Sequence, residues 1–496
     1  MGIFGNSIDL NDLSQSSLAL LPTLLTLGLA LATRRILLSL LLGSATGAWL
    51  LAGSFDAPRY LAGKALALFY DGGISWWTLQ VVGFLLMLGA LSRLLQASGA
   101  AQAFAEACAS RIATRRGVSL MSVGLGLAIF IDDYFNALAV GQATRPLADR
   151  YRLSRERLAY YIDSTAAPVC ALMPLSSWGA FMLSLLAPMA ASPMGLFVDM
   201  SQAAFYPWLA LAIVLITAWF DWDLGAMKKA KARPSAAAEL KAAKGQLMPL
   251  LGPLLALILV TLAALFITGA FASSGPFSAI AALENTNVGL SLVLGAAPAL
   301  AWSFFKQKTQ RLATAWEGAK TMLPAIYLLL SAWLLAAVMK DVAVGRYLAS
   351  LIEAASVGPW MPLALFVVAM VMALATGSSW GTFGIMLPLA GQLVEPAMLP
   401  MALGAVISGA VFGDHCSPAS DTTILSSAGA ECEHMDHVLT QLPYAGLAAG
   451  LCVLGYGLSA LALPLWALWG ALLAALVVAV TLLGGWGTLA PKKQEV

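Results

Sequence analysis

Thirteen stretches of this chain are long and apolar, and two of them are interrupted halfway by polar residues. They lie at 16–32, 36–52, 74–97, 118–147, 156–190, 203–222, 247–272, 286–305, 321–339, 361–395, 398–430, 440–461 and 463–486. A helix needs about 20 apolar residues to cross a bilayer, and backbone in lipid must satisfy its own hydrogen bonds. The expected fold is therefore an all-α polytopic membrane protein. Charged residues make up 10% of the chain, against about 25% in a soluble domain, so no sizeable soluble domain is expected. A net charge of +2 gives no reason to expect a nucleic-acid partner; the expected surroundings are lipid. The five cysteines show neither disulfide nor metal spacing. The first 15 residues carry Asp9 and Asp12 but no Lys or Arg, unlike a signal peptide, so the first span is expected to be retained.

The two interruptions are Asp132-Asp133-Tyr134-Phe135-Asn136 and Thr376-Gly377-Ser378-Ser379-Trp380-Gly381-Thr382. Each arm beside them has about 14 residues, or about 21 Å at helical rise. That is short of the roughly 30 Å hydrocarbon core, so both stretches read as re-entrant helical hairpins. Charge placement agrees. With the N-terminus outside and the C-terminus cytoplasmic, 23 of the 27 basic residues fall inside; only Arg59, Lys64, Lys340 and Arg346 fall outside. The positive-inside rule asks for that bias. If 118–147 crossed as one span, the Arg145–Arg157 and Lys228–Lys244 clusters would lie on opposite sides. The expectation is about 11 transmembrane helices plus two hairpins, in a bacterial inner membrane.

The same order of elements then occurs twice, in residues 1–222 and 247–461, with the second copy running in the opposite direction. A basic cytoplasmic linker, 223–246, joins them, and residues 462–496 add one helix and a tail. At an offset of 250, residues 168–180 match 418–430 at six of 13 positions, including Pro168 with Pro418. An inverted-topology repeat is the usual build of a secondary transporter, with its site on broken helices at the midplane.

Two long apolar stretches carry polar interruptions with a proline: Asp163-Ser164-Thr165-Ala166-Ala167-Pro168 and Gly413 to Thr423. Proline removes a donor and disfavours helix in the residue before it, so both spans are expected to unwind there. Unwound backbone in a membrane is tolerated where it lines a cavity. Four breaks, two hairpin tips and two unwound spans, are thus expected to converge. They carry Asp132, Asp133, Asp163, Asp414 and Asp421 and no Lys or Arg. A buried carboxylate needs a partner, which here must be a proton or a mobile cation. Carboxylates, hydroxyls and carbonyls are hard ligands that suit Na⁺ or Li⁺ rather than a transition metal. Burial also strengthens a carboxylate's hold on its proton, so H⁺ and Na⁺ would compete for the same oxygens. Asn136, Ser164, Thr165, Ser378, Ser379, Thr382, Ser417, Thr422 and Thr423 are candidate oxygen donors. No cofactor is expected beyond the transported or coupling ions, and nothing suggests an enzyme.

Plainer readings compete. Asp132, Asp133 or Asp421 can cap a helix, Asn136 can hold a hairpin tip, and Ser176, Ser177, Ser426 and Ser427 can serve close packing. Trp178 and Trp380 can pack or meet an organic substrate. Cys432, His434 and His437 have ligand-like spacing but fall on an expected cytoplasmic loop, Glu431–His437, and are read as neither metal site nor pH sensor.

Gly413-Asp414-His415-Cys416-Ser417-Pro418-Ala419-Ser420-Asp421-Thr422-Thr423 resembles the signature of the NhaC-type sodium/proton antiporter family, in the larger ion transporter superfamily. Phe130–Asn136, Ile162–Val169 and Thr376–Thr382 also resemble one branch of it, so the likeness runs over about 115–440. It implies Na⁺ (or Li⁺)/H⁺ exchange by alternating access, with the hairpins as opposed gates. It also implies a homodimer with a scaffold part and a moving part. The branch includes transporters of organic acids and of tetracycline, so a coupled organic substrate is the alternative.

Overall fold

The computed structural model describes residues 10–483 apart from 34, 99–113, 131–132, 175, 187, 191, 232–247, 273–281, 283–284, 308 and 356. Asp132 and most of the basic linker lie outside the described residues. The described residues are helical, with no β-strand. Helices α1 (Leu21–Thr33), α2 (Ile36–Ala67) and α3 (Trp76–Ala97) come first. Next are a helical hairpin, α4 (Arg115–Ala128) and α5 (Asp133–Arg150), and a broken helix, α6 (Arg155–Leu172) and α7 (Ser177–Leu186). Helices α8 (Pro193–Ala203) and α9 (Phe205–Phe220) end this half. The second half opens with α10 (Met248–Ala272), α11 (Val288–Lys306), α12 (Arg311–Thr321), α13 (Leu323–Val342) and α14 (Val344–Ala355). A second hairpin follows, α15 (Met361–Thr376) and α16 (Ser379–Leu393), then a second broken helix, α17 (Leu399–Cys416) and α18 (Asp421–Ala430). Helices α19 (His434–Ser459) and α20 (Leu465–Leu483) close the chain.

Ten helical stretches among the described residues are long and apolar enough to cross a membrane. They include Gly358–Thr376, which runs into the first arm of the second hairpin, at 19 residues longer than the sequence suggests. The first apolar stretch yields only a shorter helix, Ser17–Ala30. The protein is thus an all-helical, multi-pass membrane protein.

Both helix breaks have one cause. Met173 precedes Pro174 and is extended (φ −101°, ψ 117°); Ser417 precedes Pro418 and is extended (φ −83°, ψ 123°). A proline's Cδ drives the preceding residue out of the helical region. This corrects the expectation for the first broken helix. Residues 163–168 do not unwind: α6 runs through Pro168 to Leu172, so Pro168 removes one ladder donor without ending the helix. Asp414 is also helical, in the last turn of α17, and the second break is confined to 417–420.

The helix boundaries of the two broken helices correspond at a different offset from the sequence identities. Helices α6 and α17 are both 18 residues long, and α7 and α18 both 10. Their boundaries correspond at an offset of 244: Arg155 to Leu399, Leu172 to Cys416, Ser177 to Asp421, and Leu186 to Ala430. At this offset Pro418 corresponds to Pro174, whereas the sequence identities at offset 250 line it up with Pro168. The restarting helices are capped alike. The Gly179 amide donates to Ser176 Oγ at 2.8 Å, and the Thr423 amide to Ser420 Oγ at 3.3 Å, the usual work of an N-cap serine.

The two halves interlock at these pieces. Helix α18 lies against α5 of the first hairpin, and α7 against α16 of the second. Gly141 on α5 meets the Gly429 backbone on α18 so closely that a side chain on either would overlap the other helix. Gly409 and Gly413 let α17 approach α15 in the same way, against Phe366, Met370 and Ala373. Small residues at crossings are how membrane helices gain close packing without a hydrophobic driving force.

Candidate functional site

Asp163 and Asp414 are both buried, at 0% and 1% exposure. Asp414 ends α17, and the turn after it returns Ser420 and Thr422 to its carboxylate. Ser420 Oγ donates to Asp414 Oδ1 at 2.9 Å and Thr422 Oγ1 donates to Oδ2 at 2.8 Å. The two hydroxyls also touch each other at 2.8 Å. Asp163, in mid-α6, accepts from Thr423 Oγ1 (3.2 Å), Ser426 Oγ (3.1 Å) and Gln441 Nε2 (2.6 Å). Thr423 Oγ1 also lies 3.3 Å from the Asp414 backbone carbonyl, so one hydroxyl reaches from the Asp163 carboxylate to the main chain of Asp414. Helix α18 thus supplies donors to both acids, facing α6 with Thr423 and Ser426 at helical spacing.

Asp421 opens α18. Its Oδ1 accepts from the Thr422 amide at 2.9 Å, and its Oδ2 accepts the Tyr134 hydroxyl from the first hairpin. The second hairpin reaches the same break from another direction. Gly377, at φ +63°, sits where any Cβ would press on Ala419, and Ser417 Oγ donates to the Leu374 carbonyl at 3.2 Å. Asp133 is buried at the start of α5, where a carboxylate suits the helix dipole.

Several expected oxygen donors are engaged elsewhere. Asn136 Nδ2 donates to the Gly126 and Ile129 carbonyls, both at 2.7 Å, and so ties the end of α4 to α5. Thr165 Oγ1 donates to Tyr161 O of its own helix at 2.7 Å. Ser378 caps α16, Thr382 Oγ1 donates to Ser378 O at 3.0 Å, and Ser379 Oγ donates to Ala410 O at 3.2 Å. Ser164 lines a cavity of about 10 Å³ with Tyr160, Tyr206, His415 and Gln441, about the room one water needs.

The expected loop Glu431–His437 is shorter than the sequence suggests: 431–433 are non-helical, with Glu431 and Glu433 exposed. Helix α19 starts at His434, and His434 and His437 are buried, at 6% and 0% exposure. Both meet Ser427, and His437 Nε2 lies 3.8 Å from Asp163 Oδ2. Sequence reasoning missed Gln441, His437, Ser420 and Ser426 as partners of the carboxylates. A buried polar stripe at i, i+3 and i+7 (434, 437, 441) was the available signal.

The paired arginines answer other acids. Arg157 pairs with Asp221 and Asp223, Arg155 with Asp149 (2.9 Å), and Arg145 with Glu431 (2.8 Å). Among the described residues, no ion pair joins Asp163, Asp414 or Asp421 to a Lys or Arg. The arrangement gathers acid and hydroxyl oxygens around a place without fixed positive charge, which is chemistry for a proton or a small hard cation.

Residues 169–461 match the model of the Na+/H+ antiporter family. An uncharacterized protein of Haemophilus influenzae is 41% identical over 479 residues, covering 90% of this chain and 92% of that one. An uncharacterized Na(+)/H(+) antiporter of Haemophilus influenzae is 43% identical over 102 residues, 19% of this chain and 21% of that one. The malate-2H(+)/Na(+)-lactate antiporter of Bacillus subtilis is 40% identical over 84 residues, 16% of this chain and 18% of that one.

Proposed function

This chain belongs to the Na+/H+ antiporter family, and on that premise we propose that it exchanges Na⁺ or Li⁺ for H⁺ across a bacterial inner membrane. The observation that carries the reading is Asp414, buried and cradled by Ser420 and Thr422, with no Lys or Arg paired to it among the described residues. Its charge needs a mobile partner. When Asp414 is ionised, the two hydroxyls donate to it. When the cargo cation enters, the same hydroxyls turn their lone pairs toward it, since a hydroxyl both donates and accepts. A proton on Asp414 removes that attraction, so proton and cation exclude each other.

Asp163 is built differently. One of its three donors is the Gln441 amide nitrogen, which has no lone pair to offer a cation. We assign Asp163 to the proton rather than the cargo. Alternating access follows from opposed hairpins in an inverted repeat: Tyr134 of the first contacts Asp421, and the tip of the second contacts Ala419. We also read the protein as a homodimer with its N-terminus outside.

A second reading has the cation drive an organic substrate. Trp380 stacks on Phe181 at 4.9 Å and meets Trp178 at 6.2 Å, beside the second hairpin tip, and the Bacillus relative is named as a malate/lactate antiporter. Reconstitution into liposomes with an internal pH dye separates them. Proton flux triggered by Na⁺ or Li⁺ alone supports exchange; flux that needs an organic acid or amine supports the second reading.

A further inference from the structure

The chain has three histidines, and two of them form a polar group that the cation cradle does not use. His434 Nδ1 and His437 Nδ1 both face Ser427 Oγ, at 3.0 and 2.8 Å. The outer nitrogens fix the tautomers. His434 Nε2 faces the Pro418 carbonyl at 2.9 Å, which only accepts, so Nε2 carries a hydrogen. Gln441 Nε2 donates to Asp163 Oδ2 and to the His415 carbonyl, at 2.6 and 3.0 Å. Its Oε1 is therefore the atom turned to His437 Nε2 at 3.1 Å. His437 Nε2 must carry a hydrogen as well.

Two neutral rings would then both present bare Nδ1 atoms to one hydroxyl. Ser427 has a single hydrogen and a third acceptor, the Thr423 carbonyl at 2.8 Å. Three acceptors thus share one hydrogen, and at least one bare nitrogen would face an oxygen lone pair at contact distance in a buried site, which is costly. One added proton removes the conflict: an Nδ1–H donates to Ser427 Oγ, and the serine hydrogen serves another acceptor.

We propose that His434, Ser427 and His437 form a proton-storage site that holds one proton between the two rings and passes it to Asp163. The groups facing His437 suit an imidazolium. Asp163 Oδ2 is 3.8 Å from its Nε2, and Glu156, seven residues earlier on α6, is a second carboxylate acting on it. His434 shares its helix and His415 of α17 faces it as well; no Lys or Arg is paired with it among the described residues. In the transfer, the His437 Nε2–H bond breaks and an Asp163 Oδ2–H bond forms, leaving a neutral ring protonated at Nδ1; the Gln441 amide then turns over, its Oε1 accepting from the protonated Asp163 and its Nε2 donating to the bared His437 Nε2. The storage site stands on the hydrogen count alone; its use in transport rests on the exchange reading above.

Nitrogen-15 NMR of histidine-labelled, full-length protein in liposomes tests it. At neutral pH one imidazolium is expected, lost in either His434→Gln or His437→Gln, and reduced in Ser427→Ala. Three neutral rings down to pH 5, or an imidazolium that survives both single substitutions, would overturn the proposal. The wild-type spectrum decides even if a variant misfolds. A separate ²²Na⁺ uptake assay on the same vesicles reads the function, so an imidazolium without Na⁺ exchange sinks the functional reading and leaves the storage site standing.

Discussion

The Tyr134 hydroxyl donates to the Asp421 carboxylate, joining residues 287 positions apart. It ties the tip of the first hairpin to the helix that restarts after Pro418, which also carries Thr422 of the Asp414 cradle. Beside the tip of the second hairpin, Trp380 meets Trp178 of the first broken helix. The two broken helices match in length but not in chemistry, and the Asp414 carboxylate–hydroxyl cradle is carried by the second.

Tyr134→Phe removes that hydrogen bond and keeps the ring. A hydrogen bond to a charged group contributes about 1.5–3 kcal/mol. The expected outcome is a fall in exchange rate of about tenfold with normal membrane insertion, read by dye quenching in liposomes. A rate equal to wild type would remove Tyr134 from the gate.

Thr422→Ala and Ser420→Ala each delete one hydroxyl from the Asp414 cradle. Each is expected to weaken apparent Na⁺ affinity by about tenfold to a hundredfold, on the scale of one charge-assisted bond. Thr165→Val is the control. Its hydroxyl bonds its own helix, so Na⁺ affinity should stay within about twofold.

Lowering the pH should raise the Na⁺ concentration needed for half-maximal exchange. Protons and cargo compete for Asp414, so acid favours the protonated form that does not attract Na⁺. Measuring half-saturation from pH 6 to 9 checks this. A half-saturation that fell, or held constant, toward acid would oppose competition at a shared carboxylate.

Gly429→Val places a side chain where Ala137 O lies about 2.5 Å from the new Cβ. Overpacking of this kind costs about 1–3 kcal/mol. The variant should show a lower thermal midpoint in detergent and should separate α18 from α5. Gly446→Ala, at a glycine with open space beside it, should leave the midpoint unchanged.

Much of the fold is legible in the sequence because polar residues are expensive in lipid and therefore stand out. The hairpins announce themselves by Asp133 and by Gly377-Ser378, and the second break by Ser417-Pro418. Asp414, Thr422 and Thr423 share one short motif, so their meeting follows from local geometry. The partners of Asp163 are less visible: Gln441 is 278 residues away and reads as one polar residue at the start of an apolar span, while His437 reads as part of a loop. The register of the repeat misled for a related reason. Side-chain identities at offset 250 line up Pro168 with Pro418, while the backbone breaks follow the residues before Pro174 and Pro418.

The central claim is that one carboxylate, Asp414, holds either a proton or the cargo cation. Proton release on adding Na⁺ to purified protein in weakly buffered detergent measures this directly. Wild type should release protons as Na⁺ binds, and Asp414→Asn, still folded, should neither bind Na⁺ nor release protons. Na⁺ binding without proton release in the wild type, or unchanged release in Asp414→Asn, would contradict the account.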